Sequence, residues 1–289
     1  MPIDVATHSG SFHADDVLAF ALIRAFLDPA ATLVRTRDLD RIREADVAID
    51  VGGEFDLERR RFDHHQASYD GLRSSAGMVL DWLEATTRVS ADIAGALRAE
   101  LVEHVDAVDN GRISPTFGVP CFSTLVGTYN NTAGSSEEFR IQFLAAAEMA
   151  EEVVRGICAG IEQIAAAREA VHRGMDEAVE AGLAVIEFDD YYVWKPAYFE
   201  KGGVEHPTDF VLFPAEGDWR VVAIPPEPGS FDKKRPFPAE WAGLVDAELE
   251  AVVGVNGARF CHKNRFIAVF GTRDAAITAL ENWGLMRRP

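Results

Sequence analysis

The chain has 289 residues, of which 48% are hydrophobic and 26% are charged, a balance typical of a globular protein. Its 47 acidic and 28 basic residues give a formal net charge of −19, which has the wrong sign for binding long nucleic acids through their phosphates. No apolar stretch reaches the roughly 20 residues that span a bilayer, and the start of the chain has no signal-like segment. With three scattered cysteines, we expect a cytoplasmic protein with no membrane partner.

The N-terminal half alternates short apolar strands with amphipathic helices. The predicted strands are residues 3–7, 32–36 and 46–51, and the predicted helices are residues 15–27, 74–86 and 91–105. Such alternation favours an α/β fold with a mostly parallel sheet flanked by helices. Because ligands gather at the carboxyl ends of parallel strands, His8 and Asp50, each at the end of a predicted strand, are candidates for a site.

The rest of the chain divides into a helical region and a second α/β region. Residues 137–181 are predicted to be helical, with breaks at Gly156, Gly160 and Gly174. Short strands are then predicted at 183–188, 210–213, 219–224 and 266–270, and a final helix at about 273–283. We therefore predict a catalytic metal-binding domain (1–136), a long helical connector (137–182), and a smaller substrate-binding α/β domain with a mixed sheet (183–289).

Four short blocks rich in His and Asp lie within the first 111 residues. They are residues 7–16 (THSGSFHADD), 48–53 (AIDVGG), 63–65 (DHH) and 105–111 (VDAVDNG). Imidazole and carboxylate ligands in such numbers suit Mn²⁺, Mg²⁺, Zn²⁺ or Fe²⁺ and are enough to hold two ions. A pair of ions bridged by a carboxylate can activate water for attack on phosphorus.

The first two blocks supply candidate ligands near the ends of predicted strands. His8 and His13 flank a tight turn, and Asp15 follows two residues later, so one loop can direct all three toward the same point. Taken alone, Asp15 or Asp16 is explained as readily by capping of the helix N-terminus as by a metal site, but capping does not explain the two histidines. Asp50, just before a glycine pair, is placed to bridge two ions, with a turn-forming aspartate as the alternative.

The other two blocks complete the candidate site. In the triplet of Asp63, His64 and His65, one histidine can ligate an ion while the other donates a hydrogen bond to substrate, and Asp63 can orient an imidazole. A His-His pair alone is more often a surface or packing feature, but the three other blocks favour a site. Asp106 and Asp109 are three residues apart and share a helix face, so spacing does not decide which of them is a ligand.

These blocks resemble the motifs of the DHH phosphoesterase superfamily, named for the triplet seen here at residues 63–65. The closer resemblance is to the Myg (melanocyte-proliferating-gene) family of metal-dependent hydrolases and exonucleases. It extends to residues 234–244 and 258–267 and so covers nearly the whole chain. The wider superfamily begins with His-x-x-x-Asp-x-Asp, whereas here His13 replaces the middle acid with one extra residue after His8. This change makes the site less anionic and leaves the preferred ion open.

The resemblance implies a two-metal phosphodiesterase, with Mn²⁺ as the expected ion and Mg²⁺, Zn²⁺ or Fe²⁺ as alternatives. The ligands implied for the first ion are His8, His13 and Asp50. Those implied for the second ion are Asp15, Asp50, His64 and one of Asp106 and Asp109. The implied catalytic residues are Asp50, Asp63 and His65, of which His65 hydrogen-bonds the phosphoryl oxygens. The implied phosphate-binding residues of the C-terminal domain are Lys234, Arg235, His262 and Arg265.

The expected activity is an exonuclease-like phosphodiesterase on short single-stranded oligonucleotides or nucleotides, since the net charge disfavours long duplexes. Within the same chemistry, an inorganic pyrophosphatase or a cyclic-dinucleotide phosphodiesterase is an alternative. Two further alternatives are a metal-dependent amide hydrolase and a non-catalytic metalloprotein that binds nucleotides. The full set of acids and histidines favours an enzyme, and the sequence leaves the oligomeric state open.

Overall fold

A computed structural model describes residues 1–288 of the protein and confirms the predicted α/β class. The chain forms two compact units, of which unit 1 covers Met1–Ile161 and unit 2 begins at Glu162. The division into three domains at residues 136 and 182 stays a prediction. None of the helices within the described residues is long and apolar enough to cross a membrane.

Unit 1 is built on a mostly parallel sheet, as predicted. Its strands β1 to β5 are Asp4–Thr7, Thr32–Arg35, Val47–Ile49, Phe55–Asp56 and Arg61–Phe62. Their order is β2-β1-β3-β5-β4, and every neighbouring pair is parallel except the antiparallel pair of β4 and β5. The sequence did not predict β4 or β5, because two residues are too few to produce an alternating pattern.

Helices cover both faces of this sheet. Helices α1 to α6 are Ala14–Phe26, Leu39–Glu44, Ser75–Ala85, Ala91–Leu97, Glu103–Asp109 and Phe122–Tyr129. One turn of π-helix, Arg98–Val102, joins α4 to α5. Since side chains alternate along a strand, Val47 and Ile49 of β3 enter the main core with α1 and α3, whereas Ala48 packs near Ile42 of α2. The strand ends are thereby held rigidly between two helical layers.

Helix α7 runs from Ser136 to Glu180 without interruption, so the breaks predicted at its three glycines are wrong. A Cβ atom at Gly156 or Gly160 would meet no atom within 4 Å. Each of these glycines costs about 1 kcal/mol of helix propensity, which does not end a long helix. A Cβ atom at Gly174 would lie 2.9 Å from Ile186, so this glycine allows a close approach between helix and strand.

Each half of α7 packs into a different hydrophobic core. The buried residues in its first half, all in the main core of unit 1, are Phe143, Ala146, Ala147, Ala150 and Val154. The buried residues in its second half, all in a core of unit 2, are Ala167, Val171, Met175 and Ala178. Members of both sets lie three or four residues from the next turn's member, with Ala146 and Ala147 adjacent, as expected for one apolar helix face.

Unit 2 contains a second, mixed sheet, which confirms the prediction for the C-terminal region. Strands β6 to β10 are Val185–Glu187, Phe210–Ala215, Asp218–Ala223, Ala258–Cys261 and Ile267–Phe270, and helices α8 to α10 are Trp194–Glu200, Asp246–Val253 and Arg273–Asn282. The strand order is β6-β7-β8-β10-β9, with β6 parallel to β7 and the other pairs antiparallel. Glu216 and Gly217, both with positive φ, form the tight turn between β7 and β8.

Candidate metal centre

Three neighbouring parallel strands of unit 1 end in His and Asp side chains. His8 follows β1, Asp50 follows β3, and the segment Asp63–His65 follows β5. Because these strands are adjacent and parallel, their carboxyl ends meet at one edge of the sheet. The Nε2 atom of His8 lies 3.3 Å from Oδ2 of Asp50, and Nε2 of His64 lies 3.4 Å from Oδ1 of the same carboxylate. Asp50 therefore stands between the two histidines.

The N-terminus of α1 brings a second group of ligands to this point. His13 is the N-cap residue, with extended backbone, and Asp15 and Asp16 are fully buried in the first helical turn. Asp16 accepts hydrogen bonds from the backbone N–H of His13 (3.0 Å) and the hydroxyl of Thr7 (3.2 Å). The expectation that Asp15 could be the N-cap is wrong, because Asp16 closes the cap with His13 and Asp15 points to the centre.

Asp50 has a left-handed backbone conformation, with φ of 53°. This conformation is uncommon for residues other than glycine, although Asp and Asn tolerate it better than most. Gly52 and Gly53, which follow after Val51, also have positive φ, and the backbone N–H of Gly53 donates to Oδ2 of Asp63 (2.6 Å). The strained turn is thus tied down by a neighbouring strand, which holds the Asp50 carboxylate in place.

The Asp63-His64-His65 triplet lies in an irregular segment after β5. This backbone lets the two adjacent histidines have different surroundings, as expected if one binds an ion and the other binds substrate. Asp63 is buried, and its Oδ1 atom accepts hydrogen bonds from the backbone N–H (3.1 Å) and the ring Nδ1 (2.9 Å) of His65. The His65 side chain is 63% exposed. Since Asp63 holds the proton on Nδ1, the ring leaves Nε2 available to a ligand.

Asn110 fixes the ring of His64. Its Nδ2 atom donates to the carbonyls of Asp106 (2.9 Å) and Leu72 (3.3 Å), so its Oδ1 faces Nδ1 of His64 at 3.3 Å. An acceptor at that position keeps the proton of a neutral imidazole on Nδ1 and leaves the lone pair on Nε2. Nε2 is the atom that faces the carboxylates, so this arrangement prepares His64 to bind a cation.

Asp106 and Asp109, which spacing did not separate, lie in different environments. Asp106 is fully buried and accepts from the N–H (2.9 Å) and hydroxyl (2.7 Å) of Ser74 and from the N–H of Gly77 (3.2 Å), at the start of α3. Asp109 instead lies with Oδ2 3.1 Å from Nε2 of His64. The structure therefore brings Asp109 into the cluster and uses Asp106 to hold a helix terminus.

The centre concentrates negative charge away from water. Burial raises the pKa of Asp15 well above its usual range, and the carboxylates of Asp50 and Asp109 raise it further. Burial likewise raises the pKa of Asp16 to about 7. Burial opposes charge on His64, but the carboxylates of Asp109 and Asp50 beside its ring raise the pKa of the ring to about 11. Such crowding favours a bound cation, which can replace the protons on these groups.

Several polar atoms at this centre have no hydrogen-bond partner within residues 1–288, the part that the structure describes. They are Nε2 of His8, Oδ1 of Asp15, Oδ1 of Asp50 and Nε2 of His64, all buried. Groups of ligand atoms within 4.8 Å of one another are formed by His8, His13 and Asp50; by Asp50, His64 and His65; and by His13, Asp15 and Asp109. Leaving so many buried polar atoms unsatisfied is costly, whereas divalent ions would satisfy them. The residues present therefore fit the two ions inferred from the sequence.

Two pockets adjoin the centre and share His13. A pocket of about 290 Å³ is lined by His13, Arg37, Asp50 and His65, among others. A second pocket, of about 510 Å³, is lined by His13 and Asp109 together with mostly uncharged residues. Substrate could therefore reach the centre from two directions.

Arg37, which no sequence motif indicated, is a cation on the wall of the smaller pocket. Its Nη2 atom lies 3.3 Å from Nδ1 of His8, and no carboxylate among the described residues pairs with it. Only its position shortly after a short strand could have pointed to it, and that signal is weak. Asn110 was also missed as a supporting residue, because its role depends on His64, a partner distant in sequence, whereas the capping role considered for Asp16 is seen in its bond to His13.

Comparison with known proteins places the chain in a family. The family model MYG1_exonuc, described as an uncharacterised protein family (UPF0160), matches residues 4–282. The chain belongs to the MYG1 family. It is 36% identical over 288 residues to "MYG1 protein" of Chlamydia trachomatis, covering 97% of this chain and 96% of that protein. It is 29% identical over 329 residues to "MYG1 exonuclease" of Homo sapiens, covering 96% of this chain and 84% of that protein. The Myg resemblance seen in the motifs is confirmed.

Among solved structures, RecJ of Thermus thermophilus in complex with Mn²⁺ matches with 13% identity and a TM-score of 0.24, covering 97% of this chain and 51% of that chain. A likeness this low supports no statement about fold or function. The assignment to the MYG1 family rests on the sequence comparisons alone.

In this member of the MYG1 family, the predicted phosphate-binding cations of unit 2 have partners within the unit. Lys234 donates to the Tyr198 hydroxyl (2.9 Å) and to the carbonyls of Gly203 (2.5 Å) and His206 (2.8 Å). Arg235 donates to the carbonyls of Gly284 (3.0 Å) and Arg287 (3.1 Å), and Arg265 donates to that of Phe237 (3.2 Å). His262 accepts from the N–H of Asn264 (3.0 Å). Their predicted role in substrate binding stays a prediction.

Proposed function

We propose that the protein is a metal-dependent phosphodiesterase that acts as an exonuclease on short single-stranded oligonucleotides or nucleotides. The observation that carries the proposal is the buried Asp50 carboxylate, placed between His8 and His64, with unpartnered ligand atoms on all three residues. Relatives named "MYG1 exonuclease", at 29% identity, support the reaction class. Part of the proposal is a cytoplasmic location, which rests on the odd number of cysteines.

Two divalent ions, with Mn²⁺ as the expected metal, would be held by residues of unit 1 alone. The proposed ligands of the first ion are His8, His13 and Asp50, and those of the second are Asp15, Asp50, His64 and Asp109. Asp109 is preferred over Asp106 because the Asp106 carboxylate is already occupied by Ser74 and Gly77. Bound ions of this kind activate water and neutralise phosphoryl oxygens.

The protein's own residues position the substrate and hold protons where they are needed. His65, with its Nδ1 proton on Asp63, would present Nε2 to a phosphoryl oxygen. Arg37, on the same pocket wall, would add a planar pair of N–H donors suited to phosphate. If Nε2 of a neutral His8 bound an ion, the ring proton would be on Nδ1. Nδ1 could then no longer accept a hydrogen bond from Nη2 of Arg37, which lies 3.3 Å away. Arg37 is then available to the substrate.

Lys234, Arg235, His262 and Arg265 remain proposed substrate-binding residues on the basis of the motif resemblance. The contacts of the first two with backbone carbonyls would have to be shared with, or exchanged for, phosphate oxygens. This part of the proposal is therefore separable from the metal centre, and a variant of Lys234 tests it alone.

The test is a Mn²⁺-supplemented assay with short oligoribonucleotides labelled at the 5′ or the 3′ end, comparing the native protein with His64→Ala. We expect stepwise shortening by the native protein, with a polarity revealed by the two labels, and none by the variant. Circular dichroism of the variant controls for folding, and metal analysis counts the ions. Absence of shortening by a native protein that binds two ions would refute the exonuclease. Exclusive turnover of inorganic pyrophosphate or of a cyclic dinucleotide would support those alternatives instead.

A further inference from the structure

The larger pocket beside the metal centre differs in character from the centre itself. It has a volume of about 510 Å³, within the range of small-molecule sites. Among the residues that line it, His13 and Asp109 are the ionisable ones, and both belong to the proposed ligand set. The rest of the wall comes from uncharged residues of α1, α5 and α6 and their adjoining loops. The pocket is thus charged where it meets the centre and neutral elsewhere.

The neutral part of the wall combines apolar surface with a few polar groups. Val108 and Pro115 supply apolar surface, while Ser123 carries a buried hydroxyl with no hydrogen-bond partner among the residues that the structure describes. The side chain of Asn130 bonds both the backbone N–H (3.0 Å) and the carbonyl (2.8 Å) of Phe12, which fixes the loop on that side. The pocket is therefore held in shape by contacts within unit 1, as a preformed ligand site requires.

The two pockets that meet at His13 are chemically complementary. The smaller one carries Arg37 and His65, which suit a phosphate group. The larger one has no lysine or arginine among its lining residues, all of which the structure describes. A phosphate would gain little there, whereas a group with an apolar face and a few hydrogen-bonding edges would be accommodated. A molecule occupying both pockets would have one charged and one neutral half.

Resting on the proposed function, we propose that the larger pocket binds the nucleoside part of the substrate, base and sugar together, next to the phosphate that is cleaved. An aromatic base would cover the apolar wall formed by Val108 and Pro115, and its polar edge or a sugar hydroxyl would satisfy Ser123. Inorganic pyrophosphate has no group for such a surface. The pocket therefore assigns the substrate to the nucleotides and distinguishes them from purely inorganic phosphates.

Gly127 allows the pocket to be filled without disturbing the fold. It lines the pocket from α6, and a Cβ atom there would meet no atom within 4 Å. Replacing a helical glycine with alanine or leucine gains roughly 1 kcal/mol of helix propensity, so Gly127→Ala and Gly127→Leu should fold at least as well as the native protein. Gly156→Leu is the matched control, because Gly156 is also exposed on a helix with open space at its Cβ but lies outside the pocket.

The experiment measures binding of 5′-AMP, 3′-AMP and inorganic phosphate to the Mn²⁺-loaded full-length variants by calorimetry, alongside oligonucleotide shortening. Gly127→Leu is expected to weaken binding of at least one nucleotide by tenfold or more, Gly127→Ala by less, and neither should change phosphate binding. Gly156→Leu should resemble the native protein in every measurement. The same ranking of the variants is expected for kcat/KM on a dinucleotide, with the largest loss in Gly127→Leu, a smaller loss in Gly127→Ala and none in Gly156→Leu.

Equal nucleotide binding by Gly127→Leu and Gly156→Leu would overturn the nucleoside site, and the exonuclease would still stand if the native protein shortens oligonucleotides. A native protein that neither shortens oligonucleotides nor binds nucleotides more tightly than phosphate would overturn both proposals. Equal weakening of nucleotide and phosphate binding by Gly127→Leu would mean that the variant disturbs the metal centre, and this result would also count against a separate nucleoside site.

Discussion

The candidate site residues of unit 1 and unit 2 differ in how far their polar atoms are already hydrogen-bonded. In unit 1, His8, Asp50 and His64 meet at the ends of three parallel strands and leave buried atoms without hydrogen bonds. In unit 2, Lys234 and Arg235 donate hydrogen bonds to oxygen atoms of their own unit. Unsatisfied buried ligands indicate a missing partner, whereas satisfied ones already stabilise the fold. The difference therefore separates groups ready to bind ions and substrate from groups that already hold structure.

Loss of Asp50 should break the centre most completely. Asparagine is the informative replacement, because it tolerates the left-handed backbone at this position and removes only the charge. We expect Asp50→Asn to lose at least one ion and to reduce turnover by about a thousandfold, since this carboxylate is a proposed ligand of both ions. Metal analysis and steady-state kinetics measure the two effects. An active variant that keeps both ions would refute the bridging role.

Asp109 and Asp106 provide a matched pair within one helix. Asp109→Asn should reduce turnover by about a hundredfold through a weakened second ion, with little change in stability. Asp106→Asn should instead lower the free energy of unfolding by about 1–3 kcal/mol, because it impairs the buried contacts with Ser74. Urea denaturation and kinetics on both variants distinguish the two roles. If Asp106→Asn instead lost turnover while Asp109→Asn lost only stability, Asp106 would be the metal ligand.

Arg37 should contribute to substrate binding rather than to the metal sites. Removal of its charge in Arg37→Met should raise KM for an oligonucleotide by about tenfold while both ions remain bound. Arg41→Met, at an exposed arginine on α2, is the control and should change neither quantity. If Arg37→Met lost an ion at unchanged KM, its contact with His8 would be its main role.

A variant of Lys234 tests whether the hydrogen-bonded cations of unit 2 stabilise the fold more than they bind substrate. Its expected effect on activity is the smallest of the four. Burial lowers the pKa of Lys234, and its ammonium group bonds Tyr198 and two carbonyls. Lys234→Met should therefore lower the free energy of unfolding by about 1–3 kcal/mol and, through its proposed substrate role, raise KM by about threefold or less. Thermal denaturation and kinetics are compared with Lys263→Met, at an exposed lysine. An unchanged KM would refute the substrate role implied by the motif resemblance, and unchanged stability would refute the structural role.

Residue patterns predicted the elements that carry the centre more accurately than those that surround it. Strand β1 and helix α1 lie within one residue of their predicted bounds, because a buried strand and a wide apolar helix face leave a strong pattern. Helix α6 was missed, since Gly127 and several β-branched residues give it low helix propensity, and α2 has only six residues. Tertiary packing, which a local pattern does not contain, stabilises both.

The ligand types could be predicted from the sequence, but their partners could not. Spacing placed Asp106 and Asp109 on one helix face, and only the position of Ser74, at the start of another helix, separates them. The role of Asn110 likewise depends on His64, which lies far away in sequence. Residues such as Lys234 look the same in a motif whether they bind a phosphate or a carbonyl. Hydrogen-bond satisfaction is a property of the folded protein alone.

The scattering of the ligands along the chain has a consequence for folding. His8, Asp50, His64 and Asp109 belong to four segments separated by whole strands and helices, so the unfolded chain contains no preformed site. Bringing them together requires closure of long loops, whose entropic cost is met only when β1, β3 and β5 align. Ions that bind the finished sheet and not the unfolded chain shift the folding equilibrium by mass action. If the proposed ions bind, metal supply would thus set the stability of the folded protein as well as its activity.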